Sequence, residues 1–300
     1  MSGASNRAGI GLMIAATFVF AVQDAVSRHL AANYNLLMVV MIRYWFFALF
    51  VIWLAARQKA GFRATVATTQ PGLQIARGVL LAAEVCVTVL AFVLLGLVAA
   101  HAIFAIYPLM IAALAGPVLG ERVGWRRWAA IAVGFVGMTI ILQPGAGVLS
   151  PAAPLAVLAA LMFALYSLAT RYVARRDSAL TSFFWTGIAG AVAMTLVGIW
   201  FWEPMRPADW GWMGALSVMG VLGHYLLIRA YAAAEAGTVQ PFAYFQLVFV
   251  SLIGVGLFGE SVGLPVILGA GLIVGAGVFT LWRAGARGVE GQDAGPSISR

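Results

Sequence analysis

The chain has 300 residues, 63% of them hydrophobic and only 9% charged, with a mean hydropathy of +0.98. Soluble domains carry roughly a quarter of their residues as Asp, Glu, Lys and Arg, so this composition excludes a soluble enzyme or nucleic-acid binder and implies an integral membrane protein. The formal charge of +8 would suit a polyanion, and only the placement of the charges decides what it means.

Crossing ~30 Å of hydrocarbon takes a helix of about 20 apolar residues. Runs of that kind lie near 8–30, 35–56, 72–97, 100–119, 125–143, 154–174, 179–202, 210–233, 238–258 and 263–283, which predicts ten transmembrane helices in an all-α fold. The first run is too long for a signal peptide and lacks a persuasive small-residue cleavage site, so it reads as a retained span. The tail, 284–300, is polar and Gly-rich and reads as disordered. Cys86, the single cysteine, excludes a disulfide framework and reads as a packing residue.

With the N-terminus inside, the connections on the cytoplasmic side collect most of the cations, among them Arg57, Lys59, Arg63, Arg122, Arg126, Arg127, Arg171, Arg175 and Arg176. The outer side holds Arg28 and Arg206. Arg77 falls at the inner end of the third span, where it is expected to snorkel toward head groups. This asymmetry predicts both termini in the cytoplasm of a bacterial inner membrane and explains the basic charge through anionic lipid rather than nucleic acid.

A spacing of 139 residues sets Gly120-Glu121-Arg122-Val123-Gly124 on Gly259-Glu260-Ser261-Val262-Gly263. Without a gap, the same offset places Ala91-Phe92 on Ala230-Tyr231 and Tyr44-Trp45-Phe46 on Phe183-Phe184-Trp185. The chain thus reads as two five-helix halves, 1–143 and 144–283. Five is odd, so the second half enters the membrane inverted, as in secondary transporters that work by alternating access.

The Arg43-Tyr44 pair, the run from Ala102-Ile103 through Tyr107-Pro108-Leu109, Gly120-Glu121 and the half-length repeat together resemble the drug/metabolite transporter superfamily, EamA type. The stretch Phe20-Ala21-Val22-Gln23-Asp24-Ala25 is most similar to the YddG-type exporters of that superfamily. The resemblance implies efflux of aromatic and other neutral amino acids and related small metabolites, and it places the fourth and ninth helices at the centre of the bundle.

Charges inside hydrocarbon cost about 2.5 to 3.5 kcal/mol each on insertion scales and need partners or water. Asp24 and Arg43 fall at matching depths in adjacent spans, which predicts a buried structural ion pair, with Arg28 a competing partner for Asp24. Glu84 and His224 fall near the midplane of the third and eighth spans, and the repeat sets Glu84 on Gly223, beside His224. Both are expected either to face a polar cavity between the halves or to hydrogen-bond a neighbouring helix. Tyr107, Tyr166, Ser167, Tyr225, Tyr244 and Gln246 lie at similar depth and combine apolar bodies with polar tips, as an amino-acid site needs. With Gln23, Asp24, Glu84, His101 and His224 these complete the candidate substrate-binding set. Pro108 and Pro241 are expected hinges, and glycines such as Gly269, Gly271, Gly275 and Gly277 are expected to admit close helix contacts. Trp125, Trp128, Trp202, Trp210 and Trp212 near span ends read as an interfacial belt.

An exporter of drugs or lipid-linked substrates is the nearest alternative. An intramembrane enzyme built on Ser217 and His224 is disfavoured, because two helical turns, ~10 Å, separate them. No metal cluster, phosphate loop or cofactor motif is legible, so the expected partners are a small-molecule substrate and the bilayer, with a monomeric protein the simplest state.

Overall fold

A computed structural model describes residues 3–120, 124–142, 152–233 and 240–293. The described residues form helices α1 (Gly3–Asn33), α2 (Leu36–Ala56), α3 (Phe62–Val66), α4 (Pro71–Leu95), α5 (Leu97–Phe104), α6 (Tyr107–Leu119), α7 (Trp125–Leu142), α8 (Ala153–Val173), α9 (Ala179–Gly198), α10 (Asp209–Ala233), α11 (Phe245–Phe258) and α12 (Leu264–Asp293). Among the described residues six helical stretches are long and apolar enough to cross a membrane: α1, α2, α4, α5 with α6, α8, and α9 with the 3₁₀ turn that follows it. Shorter apolar stretches lie in α7, α11 and α12. Exposed large apolar side chains such as Leu49, Leu196, Trp200 and Leu257 stud the outer surface, which is suited to lipid rather than water.

Local chemistry sets the helix ends. Asn35 caps α2 by accepting from Leu37 N at 2.9 Å, and Ser178 caps α9 by accepting from Thr181 N at 3.0 Å. Gly120 and Gly259, 139 residues apart, close α6 and α11 in the left-handed conformation with φ of 74° and 64°. Between α4 and α5, Gly96 has φ of 88°, and a Cβ there would fall 2.8 Å from the Glu260 carboxylate. Only glycine satisfies both demands.

Packing follows a regular scheme. Helix α1 lies against α10 and α11, α8 lies against α4 and α6, α2 pairs with α9, and α7 pairs with α12. The α7–α12 contact is a glycine contact: a Cβ on Gly137 would lie 2.6 Å from Gly269 O. Of the other glycines expected at such contacts, Gly277 receives the Tyr244 side chain, whereas Gly271 and Gly275 have open space beside them.

Three expectations are corrected here. The fourth span is not one helix kinked at Pro108. It is interrupted at Ala105–Ile106, and Pro108 occupies the first turn of α6, where its missing N–H leaves no partner wanting. The ninth span does not open as an α-helix kinked at Pro241: among the described residues it begins with a 3₁₀ turn over Gln240–Tyr244 that contains Pro241, and α11 starts at Phe245. Helix α12 also runs to Asp293, taking in the first ten residues of the predicted disordered tail, because extending an existing helix costs no new nucleation. Residues 294–300 and Glu121, Arg122 and Val123 of the repeated motif lie outside the described residues.

Candidate functional site

The broken fourth span and helix α11 meet α1 at Asp24. Asp24 Oδ2 lies 3.0 Å from His101 Nε2 of α5 and accepts from Gln246 Nε2 of α11 at 2.9 Å. His101 Nδ1 is 3.0 Å from Leu97 O, one turn earlier in α5. A carbonyl can only accept, so Nδ1 carries a hydrogen. The opposite nitrogen then meets a carboxylate oxygen, and that contact holds only when the pair carries one more proton, on the imidazole or on the carboxyl. Phe92 stacks on the His101 ring at 4.6 Å and fixes its plane.

Beside this cluster is a cavity of about 50 Å³ lined by His101, Phe104, Tyr107, Tyr244, Gln246 and Leu247 among others. The Tyr244 hydroxyl is buried there without a hydrogen-bond partner, and its ring occupies the space a side chain at Gly277 would need. Tyr107 stands edge-on to Phe163 at 4.9 Å and beside Phe104 at 5.3 Å. The site therefore combines a carboxylate that shares a proton, an amide, an unused hydroxyl and aromatic rings. A larger hollow of about 480 Å³ between α11 and α12 is lined by Leu247, Leu252, Val255, Val266 and similar residues. Its only polar side chain, Ser251, already donates to Leu247 O, so it offers nothing to a polar solute.

One turn beyond Asp24, Arg28 pairs with Glu260 and lies 4.1 Å from the centroid of Phe258. The same carboxylate accepts from Leu97 N at 2.8 Å and Val98 N at 2.9 Å, and so caps α5. Glu260 thereby ties α1 and the loop after α11 to the helix that carries His101. The sequence marked this residue only as part of a repeated motif.

The expected Asp24–Arg43 ion pair does not form. Asp24 leaves α1 toward α5 and α11, whereas the neighbouring residue Gln23 and Arg43 both approach Gly220 of α10. Consecutive helical residues point about 100° apart, which depth-matching along the sequence does not register. Gln23 is buried and its Oε1 has no partner. Glu84 is buried with its carboxylate accepting from Thr88 Oγ1 at 2.5 Å, and it does not line the cavity. His224 donates from Nδ1 to Gly220 O at 2.8 Å, and its ring is surrounded by Phe20, Phe47 and Phe183.

Tyr166 and Ser167 lie elsewhere. Tyr166 accepts from Arg77 at 3.2 Å, and the Ser167 hydroxyl donates to Phe163 O in its own helix. Tyr225 is half exposed on the outside of α10, where its hydroxyl accepts from Arg229. Arg77 does not snorkel. It is 2% exposed, and its guanidinium donates to Tyr166, Thr170, Gln74 Oε1 and Ser182 O, because α8 and α9 close over the end of α4. The network continues from Gln74 and Thr68 to Asp177 in the α8–α9 loop, at 2.7 and 2.5 Å. Burial works against the charged form of Asp177, but the Thr68 and Gln74 hydrogen bonds, a backbone N–H and the Arg77 charge outweigh it and hold its pKa below the usual carboxylate range. At the far ends of α1 and α10, Tyr34 donates to Asp209 at 2.5 Å and Arg206 to the same oxygen at 2.8 Å, which lowers the Asp209 pKa.

Comparison with known proteins agrees with this architecture. The chain is 25% identical to the S-adenosylmethionine uptake transporter of Rickettsia bellii over 91% of its length and 93% of that protein. It is 37% identical to the riboflavin transporter of Rhizobium johnstonii over 54% of each chain, and 27% identical to the pseudopaline exporter CntI of Pseudomonas aeruginosa over 81% of its own length and 85% of the relative's. A solved structure superimposes with a TM-score of 0.61 at 18% identity, covering 97% of this chain and all of that one, which shows a shared fold. The profile of the EamA-like transporter family matches twice, at residues 7–143 and 150–282. The chain is a multi-pass membrane protein and belongs to the EamA-like transporter family of the drug/metabolite transporter superfamily.

Proposed function

We propose that the chain is a secondary transporter of a bacterial inner membrane that moves amino acids and amino-acid-derived metabolites by alternating access. Export of aromatic and other neutral amino acids is its first reading. The observation that carries the proposal is the Asp24–His101–Gln246 cluster, placed beside a cavity where the broken fourth span meets the 3₁₀ start of the ninth. Broken helices near the middle of a bundle free backbone groups and are where carriers of this kind hold polar solutes. In this reading Asp24 takes the substrate's cationic group, Gln246 and Tyr244 supply further hydrogen bonds, and Tyr107 and Phe104 face its apolar part.

In the same reading the two halves, 1–143 and 144–283, each cross the membrane five times and are related by inversion, with both termini cytoplasmic. Several pairs of features at or near the 139-residue offset support it. The glycine caps of α6 and α11 fall at that offset, as do the starts of α7 and α12, Trp125 and Leu264. The starts of α6 and α11, Tyr107 and Phe245, fall within a residue of it. If α1 corresponds to α8 and α4 to α10, the α1–α10 contact is the counterpart of the α8–α4 contact, while α2–α9 and α7–α12 are their own counterparts. That is the pattern of a two-fold pseudosymmetry.

A second reading, uptake of a sulfonium-bearing amino-acid derivative, is favoured by the near full-length similarity to S-adenosylmethionine uptake transporters. A sulfonium cation suits Asp24 as well as an ammonium does. Counterflow into liposomes holding the purified protein tests both readings, using labelled phenylalanine, methionine and S-adenosylmethionine. Saturable exchange lost in Asp24→Asn supports a carrier and ranks the substrates. No exchange of any of the three would overturn the amino-acid assignment in favour of drugs or lipid-linked solutes.

A further inference from the structure

Tyr244 and Gly277 fit together in a way that helix packing alone does not require. The Tyr244 ring lines the cavity on one side and abuts α12 on the other. A Cβ built on the buried Gly277 would lie 2.6 Å from Tyr244 Cζ and 3.1 Å from its Cε2, and closer still to the hydroxyl. Real side chains do not approach that closely, so the end of the ring fills the place of a side chain that glycine lacks. The hydroxyl gains nothing polar from this position. It is buried without a hydrogen-bond partner, although His101 and Gln246 line the same cavity. What the withdrawn position of the ring does provide is volume.

Volume is scarce here. The cavity measures about 50 Å³ with Tyr244 held back against α12. One water takes about 30 Å³, and a methyl group is about as large, so a methyl added at Gly277 that pushed the ring inward would consume roughly half of the space. The halves must part for any amino acid to enter a cavity this small, and the Gly277 seat then fixes how far one wall stands back. The fit belongs to the second half of the chain alone. At the 139-residue spacing Tyr244 falls on Ala105, which lines the cavity from the fourth span, and Gly277 falls on Met138. Large against small in one half is small against large in the other, so the first half has no ring to withdraw at this place.

We infer that Gly277 is a specificity-determining residue of the substrate site: by seating Tyr244 against α12 it sets how large a substrate side chain the cavity admits. Gly277 does not line the cavity, and it acts through the tyrosine. With the ring in its seat the site accepts large side chains, and with the ring advanced it accepts only small ones. The inference rests on the carrier reading and adds to it the residue that selects among amino acids by size.

The test uses the full chain in detergent, with labelled phenylalanine and labelled alanine bound in separate titrations. Gly277→Ala should weaken phenylalanine binding about tenfold, the lower end of what one misfitting methylene costs in an apolar pocket, and alanine binding by less than about threefold. In a Tyr244→Leu background the same change at Gly277 should alter the preference between the two amino acids by less than about twofold, because no ring is left to push. Tyr244→Leu alone keeps Gly277, and so reports even where Gly277→Ala does not fold. It should shift the preference toward phenylalanine. Equal losses for both amino acids in Gly277→Ala, or a change of preference that persists without the tyrosine, would assign Gly277 to helix packing and overturn the inference. An unchanged preference in Tyr244→Leu would overturn it too, as would an absence of binding of both amino acids to the unaltered protein. Counterflow of phenylalanine measured on the same preparations separates this idea from the carrier reading. Exchange with equal losses removes the size control and leaves the carrier, whereas size-selective binding without exchange removes the carrier and leaves the seat.

Discussion

His101 Nε2 and Asp24 Oδ2 lie 3.0 Å apart, and because His101 Nδ1 already donates to Leu97 O, the pair holds its contact only while it carries a proton. That proton and a substrate cation compete for the same carboxylate. The charged groups around the pair are Arg28, already engaged by Glu260 one turn along α1, and Glu84 of α4, whose field reaches Asp24. Removing the imidazole frees Asp24, so His101→Leu should raise the apparent affinity for a cationic substrate, while Asp24→Asn should bind it about tenfold more weakly. Competition binding on the two variants checks it, and an affinity left unchanged by Asp24→Asn would remove the carboxylate from the account.

Tyr244 gives a prediction in which stability and binding move in opposite directions. Its hydroxyl is buried without a partner, and such a group costs about 1 to 3 kcal/mol when left unsatisfied. Tyr244→Phe should therefore leave the substrate-free protein as stable as before or raise its melting temperature. If the hydroxyl waits for substrate, the same change should weaken binding five- to tenfold. A melting temperature that falls together with unchanged affinity would mean that the hydroxyl serves packing alone.

The sequence made the membrane class and most of the helix positions legible, because hydrophobic run length reads out distance along a helix axis. It did not convey azimuth. Asp24 and Arg43 were matched by depth and lie on different sides of α1, and Glu84 and His224 share a level without sharing the cavity. His101 and Gln246 were among the candidates, yet their convergence on Asp24 joins residues 77 and 222 positions away from it, which no local pattern encodes. Arg77 looked like a snorkelling residue because its partners sit on α8 and α9, far along the chain.

Glu260 serves two ends at once, and two substitutions separate them. Glu260→Gln retains an acceptor for Leu97 N or Val98 N and loses the charge opposite Arg28, while Glu260→Ala loses both. Loss of a helix cap costs about 0.5 to 2 kcal/mol, so the alanine variant should melt below the glutamine variant, and both below the unaltered protein. Because α5 carries His101, the alanine variant should also weaken substrate binding, whereas Arg28→Gln, which leaves the cap intact, should affect binding less. Identical binding losses in Glu260→Ala and Arg28→Gln would assign the effect to the ion pair and not to the cap.

Asp177 permits a pH test outside the spans. Its pKa is held below the ordinary carboxylate value by donors from Thr68 and Gln74 and by the Arg77 charge, which together outweigh the opposing effect of burial. A group whose folded pKa is depressed stabilises the fold above its unfolded value, about 3.9 for Asp, and loses that contribution as the pH falls through the lower folded value. Asp177→Asn should accordingly lower the melting temperature at neutral pH, and the gap between variant and unaltered protein should narrow as the solution is acidified below about pH 4. Gln74→Ala, which removes one donor and leaves the carboxylate, should show a smaller version of the same narrowing. A gap that stays constant down to the lowest workable pH would mean that the network is held by shape and not by the charge on Asp177.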